Sequence, residues 1–198
     1  VRSTQVSFYG VSSLRAGNSL VTPDDALALQ RTFKGEFADV SVVDSAAKYA
    51  SNKLLSESFF AGDVSEEKLD YTLNYKGVAG SETVRSTQVS FYGDSSLRAV
   101  HASIGPDDAM TRQATWKLDL SSTEMTYLAQ NGLGASRAID APVKDSIDNK
   151  ALSETFFKGE VSEEKSDYTL NYKGAAQDQG VRSTQVSFYG VSSLRAGN

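Results

Sequence analysis

The chain has no cysteine, one histidine and one tryptophan among its 198 residues. Without cysteine there is no disulfide framework, no thiolate zinc or iron–sulfur site, no cysteine nucleophile and no thioether-linked pigment. With His101 as the only imidazole, a His-based triad, a two-His metal site and a His acid/base pair are excluded within one chain. No apolar run approaches the roughly 20 residues of a membrane-spanning helix, and Val1 opens a polar stretch without a signal-peptide pattern. Acidic residues exceed basic ones, 25 to 20, and no Lys/Arg cluster stands out to neutralise phosphates, so a nucleic-acid partner is not expected.

What the chain does have is repetition. Val1 to Ala16 returns as Val84 to Ala99 with one change, Val11 to Asp94, and Val181 to Asn198 repeats Val1 to Asn18 without any. This is the A block. A B block, Glu57 to Gly77, returns as Glu154 to Gly174, differing only at Ser58/Thr155, Ala61/Lys158, Asp63/Glu160 and Leu69/Ser166. Asp24 lies 33 positions before Glu57, whereas Asp107 lies 47 before Glu154, so the second copy carries an extra short helix or loop. The organisation expected is a first unit over 1–83, a second over 84–180 with an insertion near 118–145, and the start of a third copy or an extended tail over 181–198.

In the A block, Thr4, Val6 and Phe8 alternate with Ser3, Gln5, Ser7 and Tyr9 up to Gly10, the pattern of a short strand or extended arm. Thr22-Pro23-Asp24-Asp25 has the residues of a helix start, with Ala26, Leu29, Phe33 and Phe37 following at helical spacing. Val42 to Phe60 and the shorter Ser146 to Phe157 also read as helix. The B block is divided. Ser65-Glu66-Glu67-Lys68 opens like a capped helix, while Leu69, Tyr71, Leu73 and Tyr75 alternate like a strand. The cap favours helix for 65–77 and 162–174. The fold class expected is therefore mainly α with short extended or strand arms, built from an imperfect internal duplication, with α+β as the alternative.

Few residues here point to chemistry. Asp24/Asp25 and Asp107/Asp108, like Glu66/Glu67 and Glu163/Glu164, suit the positive end of a helix dipole and need no catalytic role. Gly132-Leu133-Gly134 lacks the third glycine and the preceding apolar strand of a dinucleotide fingerprint. No catalytic and no metal-ligating residue is assigned, and the chain is expected not to be an enzyme; an active site would need carboxylates and tyrosines brought together by the fold. Phe59/Phe60 and Phe156/Phe157 read as core. The Phe-Tyr pairs of the polar arms, Phe8, Tyr9, Phe91, Tyr92, Phe188 and Tyr189, are the candidate partner-binding residues, because aromatics serve as interface anchors.

The succession Leu14-Arg15-Ala16, Asp24-Asp25-Ala26, Arg31, Phe33, Glu57-Ser58, Gly62 and Val64-Ser65 resembles the linker polypeptides of phycobilisomes, over about 50 residues of the first unit. It recurs weakly at Leu97-Arg98-Ala99, Asp107-Asp108-Ala109 and Gly159 to Ser162. Such linkers are usually basic, whereas this chain is acidic. The resemblance implies a mainly helical linker threaded through stacked pigment-bearing subunits, at the stromal or cytoplasmic face of the thylakoid membrane. Any pigment would belong to those subunits, with none bound covalently by this chain. The function expected is a non-enzymatic linker or scaffold of a larger assembly of repeated protein subunits, which the resemblance implies to be a light-harvesting antenna; a repeat-containing surface or adhesive module is the alternative.

Overall fold

The computed structural model describes residues 1–37, 39, 43, 51–141, 143–190 and 193–196. Strand accounts for 47% and helix for 8%, which corrects the expectation of a mainly helical or α+β chain to an all-β one. The chain divides into two compact units, Val1–Ser86 and Thr87–Asn198, with the division inside the second A block.

The first unit holds β1 (Ser3–Tyr9), β2 (Leu14–Arg15), β3 (Leu27–Lys34), β4 (Leu54–Ala61) and β5 (Lys68–Lys76), in the sheet order β2-β1-β3-β4-β5. Every pairing recorded between them is antiparallel, and Val6 faces Arg31, which faces Glu57, which faces Leu73. The second unit repeats the plan with β6 (Thr83–Tyr92), β7 (Leu97–Arg98), β8 (Met110–Lys117), β9 (Ala151–Lys158), β10 (Lys165–Ala175) and β11 (Asp178–Val186). Its order is β6-β8-β9-β10-β11, with β7 against β6. The A blocks form β1, β6 and β11, as their alternation predicts.

The misread helices have a physical explanation. At Thr22-Pro23-Asp24-Asp25 the capping bonds do form: Asp25 Oδ2 accepts from the Thr22 N–H at 2.8 Å and from its hydroxyl at 2.9 Å. They close a turn, with the Asp25 N–H returning to the Thr22 carbonyl at 3.1 Å. In β3 it is Leu29, Arg31 and Phe33 that are buried, a period of two rather than 3.6. In the B block the Glu66 N–H closes a turn on the Asp63 carbonyl at 2.9 Å, and Ser65 takes a φ of +67°. A side chain on Gly62, itself at φ +121°, would place its Cβ 2.6 Å from the Glu66 carbonyl oxygen, so the hairpin requires glycine there. The tyrosine alternation then continues as β5 and β10. Of the helix read over Val42 to Phe60, residues 42 and 44–50 lie outside the described ones and 54–61 are β4; of Ser146 to Phe157, all but the start is loop and β9.

True helices occur where the second copy is longer: α1 (Ser122–Asn131) and α2 (Val143–Ser146). Here a capping box meets a following helix, Ser121 and Glu124 satisfying each other's backbone N–H groups. Gly132 ends α1 at φ +58°, where a Cβ would fall 2.3 Å from the Ser96 carbonyl oxygen. No described helix is long and apolar enough to cross a membrane.

The first unit buries Val6, Phe8, Leu29, Phe33, Leu54 and Tyr75 together. The second buries Val89, Phe91, Trp116, Ala151 and Tyr172 at matching positions, has Ala114 where the first has Arg31, and adds Leu128, Val143 and Ile147 from the helical segment. One exchange of volume is visible in the register. Phe33 faces Leu54 in the first unit, and Trp116 faces Ala151 in the second, so the larger ring meets the smaller neighbour. Replacing Ala151→Leu should overpack this site and destabilise the chain by about 1–3 kcal/mol, and adding Trp116→Phe should return part of that loss in urea denaturation. The same assay separates the three A strands. Phe8→Ala and Phe91→Ala should each cost about 3–5 kcal/mol, whereas Phe188→Ala should stay within about 0.5 kcal/mol of the parent.

Candidate functional site

The core face of each unit carries a buried ionic group. In the first unit Arg31 Nε lies 2.7 Å from Glu57 Oε1, and the Tyr75 hydroxyl donates to Glu57 Oε2. In the second, Arg112 NH1 lies 3.6 Å from Glu154 Oε1, and the Tyr172 hydroxyl donates to Glu154 Oε2. The arginines come from different places in their strands. β3 reads Leu29-Gln30-Arg31 where β8 reads Arg112-Gln113-Ala114, a move of two residues that keeps the guanidinium on the core face. Arg112 also donates to the Ser136 carbonyl at 2.5 Å, so the helical segment of the second unit is tied to this group. Carboxylate and tyrosine are thus brought together by the fold, but Glu154 is wholly buried and Glu57 nearly so. Burial pushes the Glu154 carboxyl above the ordinary carboxylate range, against the Tyr172 bond and the Arg112 charge. Burial, and then the neighbouring Glu154, push the Tyr172 phenol upward as well. Its sealed position makes the group an organiser of the core.

The paired acids act as backbone acceptors. The Thr22 N–H, then its hydroxyl, hold Asp25 below the usual carboxylate range. Asp108 accepts from the Gly105 N–H at 2.8 Å. Glu67 accepts from the Leu27 N–H at 2.9 Å and Glu164 from the Met110 N–H at 3.0 Å, tying each B-block turn to the start of β3 or β8. His101 Nδ1 accepts from the Ser103 N–H at 3.1 Å in a loop. An open cleft of about 540 Å³ in the second unit is lined by Asp94, Asp107, Asp108, Arg112, Phe156 and Tyr168. Phe156 and Tyr168 stack at 4.4 Å between centroids, as Phe59 and Tyr71 do at 4.3 Å. Among the described residues no group of three or more His, Cys, Asp or Glu could hold a metal ion.

The six aromatics proposed as partner contacts are not equivalent. Phe8 is 1% exposed, Phe91 0% and Phe188 61%. Phe8 and Phe91 are therefore core residues, which corrects their reading as surface anchors; Tyr92 is buried too, and Tyr9 partly so. Tyr189 is engaged within the chain, its hydroxyl donating to the Ser166 carbonyl at 2.7 Å and lying 2.9 Å from Ser166 Oγ. Only Phe188 stands open. The difference lies in what flanks each A strand, because all three share the sequence Val-Arg-Ser-Thr-Gln-Val-Ser-Phe-Tyr-Gly. β1 has β3 beside it and β6 has β8, whereas β11 has β10 on one side and ends the sheet on the other.

Two clamps hold the third A block to β10. Arg195 makes a bidentate pair with Asp167, at 2.8 Å from Nε and 2.6 Å from NH2. Ser166, which stands where the first B block has Leu69, meets Ser187 Oγ at 3.1 Å besides Tyr189. Sequence reading noted this Leu-to-Ser change without seeing that a hydroxyl there receives the next A block.

Comparison with protein-family models, with curated proteins and with solved structures gave no match.

The buried carboxyl supplies a pH test. Because Glu154 binds its proton more tightly folded than unfolded, the associated stabilisation is complete below the ordinary carboxylate range and is lost as pH rises through the raised value. Relative to Glu154→Gln, which stays neutral, the parent should lose stability as pH rises from the ordinary carboxylate range toward neutrality, by about 1.4 kcal/mol for each tenfold gain in proton affinity. Urea denaturation across that range checks the sign.

Proposed function

We propose that the chain is a non-enzymatic structural scaffold that organises a larger assembly by continuing its β-sheet into other strands. One observation carries this reading: the same A strand occurs three times, twice with a middle strand, β3 or β8, on one particular side, and once, in β11, with that side free among the described residues. An edge strand is a template for another chain unless it is short, charged, bulged or covered. β11 has Arg182 and a register irregularity beside it, but beyond them, from Ser183 to its end at Val186, it holds no charge, no proline and no bulge. Repetition also suits a scaffold, since linked sites gain effective concentration from one another. The proposal stops short of a pigment-bearing partner, because Asp24-Asp25-Ala26, which opens a helix in phycobilisome linkers, here belongs to a turn leading into a strand.

The native chain, purified without denaturant, should migrate in size-exclusion chromatography within a complex several times its own 21.3 kDa. A lone monomer would overturn the reading. A visible absorption trace on the same column separates a coloured antenna assembly from a colourless self-built one, the latter favouring the surface-module alternative.

A further inference from the structure

We propose that the free edge of β11 is an acceptor for one kind of donor: an extended strand of the pattern Gln-x-Thr-aromatic-Lys. This rests on the scaffold reading and names what the scaffold takes. Both strands that close an A strand have that pattern, Gln30-Arg31-Thr32-Phe33-Lys34 in β3 and Gln113-Ala114-Thr115-Trp116-Lys117 in β8, although the rest of their sequences differ.

Each shared position meets the A strand in a definite way. Gln5 Nε2 donates to Gln30 Oε1 at 2.6 Å, and Gln88 to Gln113 at 2.7 Å. The donor glutamine then reaches the A-strand serine, Ser7 Oγ at 3.2 Å and Ser90 Oγ at 3.3 Å. The A-strand threonine donates to a carbonyl just beyond the donor strand: Thr4 to Gly35 at 2.7 Å and Thr87 to Leu118 at 2.9 Å. In β1 the register sets Thr4 against the aromatic Phe33 and Phe8 against Leu29.

In the third copy the corresponding groups are Thr184, Gln185, Val186 and Phe188. All four are exposed, and among the described residues neither Thr184 nor Gln185 has a side-chain hydrogen bond. Val186 is 38% exposed where Val6 is 4% and Val89 is 0%. Backbone polarity agrees. The Ser187 N–H donates to the Asp167 carbonyl of β10 at 2.9 Å, so by strand alternation Val186 and Thr184 direct their N–H and C=O groups to the free side. The same alternation holds in β1, where the Arg2 carbonyl accepts from the Gly35 N–H at 3.1 Å on the β3 side. Thus β11 presents the side chains and backbone groups that β3 and β8 satisfy elsewhere, while its other side is held by Ser166 and Asp167.

The test uses the full chain and a fluorescein-labelled peptide with the sequence of residues 26–36, followed by anisotropy. Saturable binding at one peptide per chain is expected. A control peptide carrying Gln30→Ala and Phe33→Ala should bind at least tenfold more weakly. Val186→Pro in the chain removes a free-side N–H and leaves the bonds to β10, so it should also weaken binding at least tenfold with an unchanged circular dichroism spectrum. Gln185→Ala, which leaves the backbone intact, should give a smaller loss and serves if the proline variant does not fold. No binding, or binding indifferent to Val186→Pro and Gln185→Ala, would overturn the proposal. Competition by the Val186→Pro chain, whose own edge cannot take the peptide, would support it and identify a second copy as a donor. A native chain found in a large complex with no peptide binding would defeat this inference and leave the scaffold reading standing. Peptide binding by a chain that is monomeric in its source would do the reverse.

Discussion

A β-strand has two rows of backbone donors and acceptors, and the architecture of this chain follows from how those rows are filled. A strand with one filled row is half a structure. The A block makes this visible because its sequence is constant. Flanked by β3, it buries Phe8; beside β8 it buries Phe91; with β10 alone, it leaves Phe188 in solvent. Burial here is a property of the neighbour rather than of the residue, and no inspection of the A block by itself assigns its phenylalanine to core or surface.

The same dependence explains what was legible in the sequence. The repeats and the strand character of the A block could be read, since identity and period-two alternation are local. The fold class was not, because Thr22-Pro23-Asp24-Asp25 and Ser65-Glu66-Glu67 carry the side chains that cap helices. Those side chains satisfy backbone N–H groups whether a helix or a turn follows, so a cap reports a chain reversal or start and not the element after it. At Ser121-Ser122-Thr123-Glu124 the same chemistry does begin a helix. What distinguishes the cases lies downstream: β3 buries every second residue, whereas α1 buries Glu124 and Leu128, one turn apart.

The site was partly legible. Aromatics in repeated polar arms drew attention to the A blocks, of which the first two bury their phenylalanine and the third exposes it. Hidden entirely was the buried group of Arg, Glu and Tyr, whose members lie on three strands and are far apart in sequence. Its arginine does not even keep its place, sitting at position 31 in one unit and at 112, two residues earlier in the aligned strand, in the other. Only the pleat, which returns every second side chain to the same face, makes the two arrangements equivalent. Glu82 and Gln179 show the same tolerance at a half-buried tie: one is a carboxylate and the other an amide, yet each accepts from the first backbone N–H of β4 or β9, at 2.9 Å in both units.

Tandem units this alike carry a hazard while they fold, since a strand of one can enter the place of its twin and leave a trapped, mis-threaded chain. The exchange of volume in the cores of the two units discriminates against that error. Were β8 to dock on β4, Trp116 would be driven against Leu54, and two large side chains would compete for a space that holds Phe33. Were β3 to dock on β9, Phe33 would face Ala151 across a void. Each middle strand therefore recognises its own partner by size. The A strands, which lack any such mark, are free to be shared, and the chain separates the pairings that must be faithful from the one that is left open.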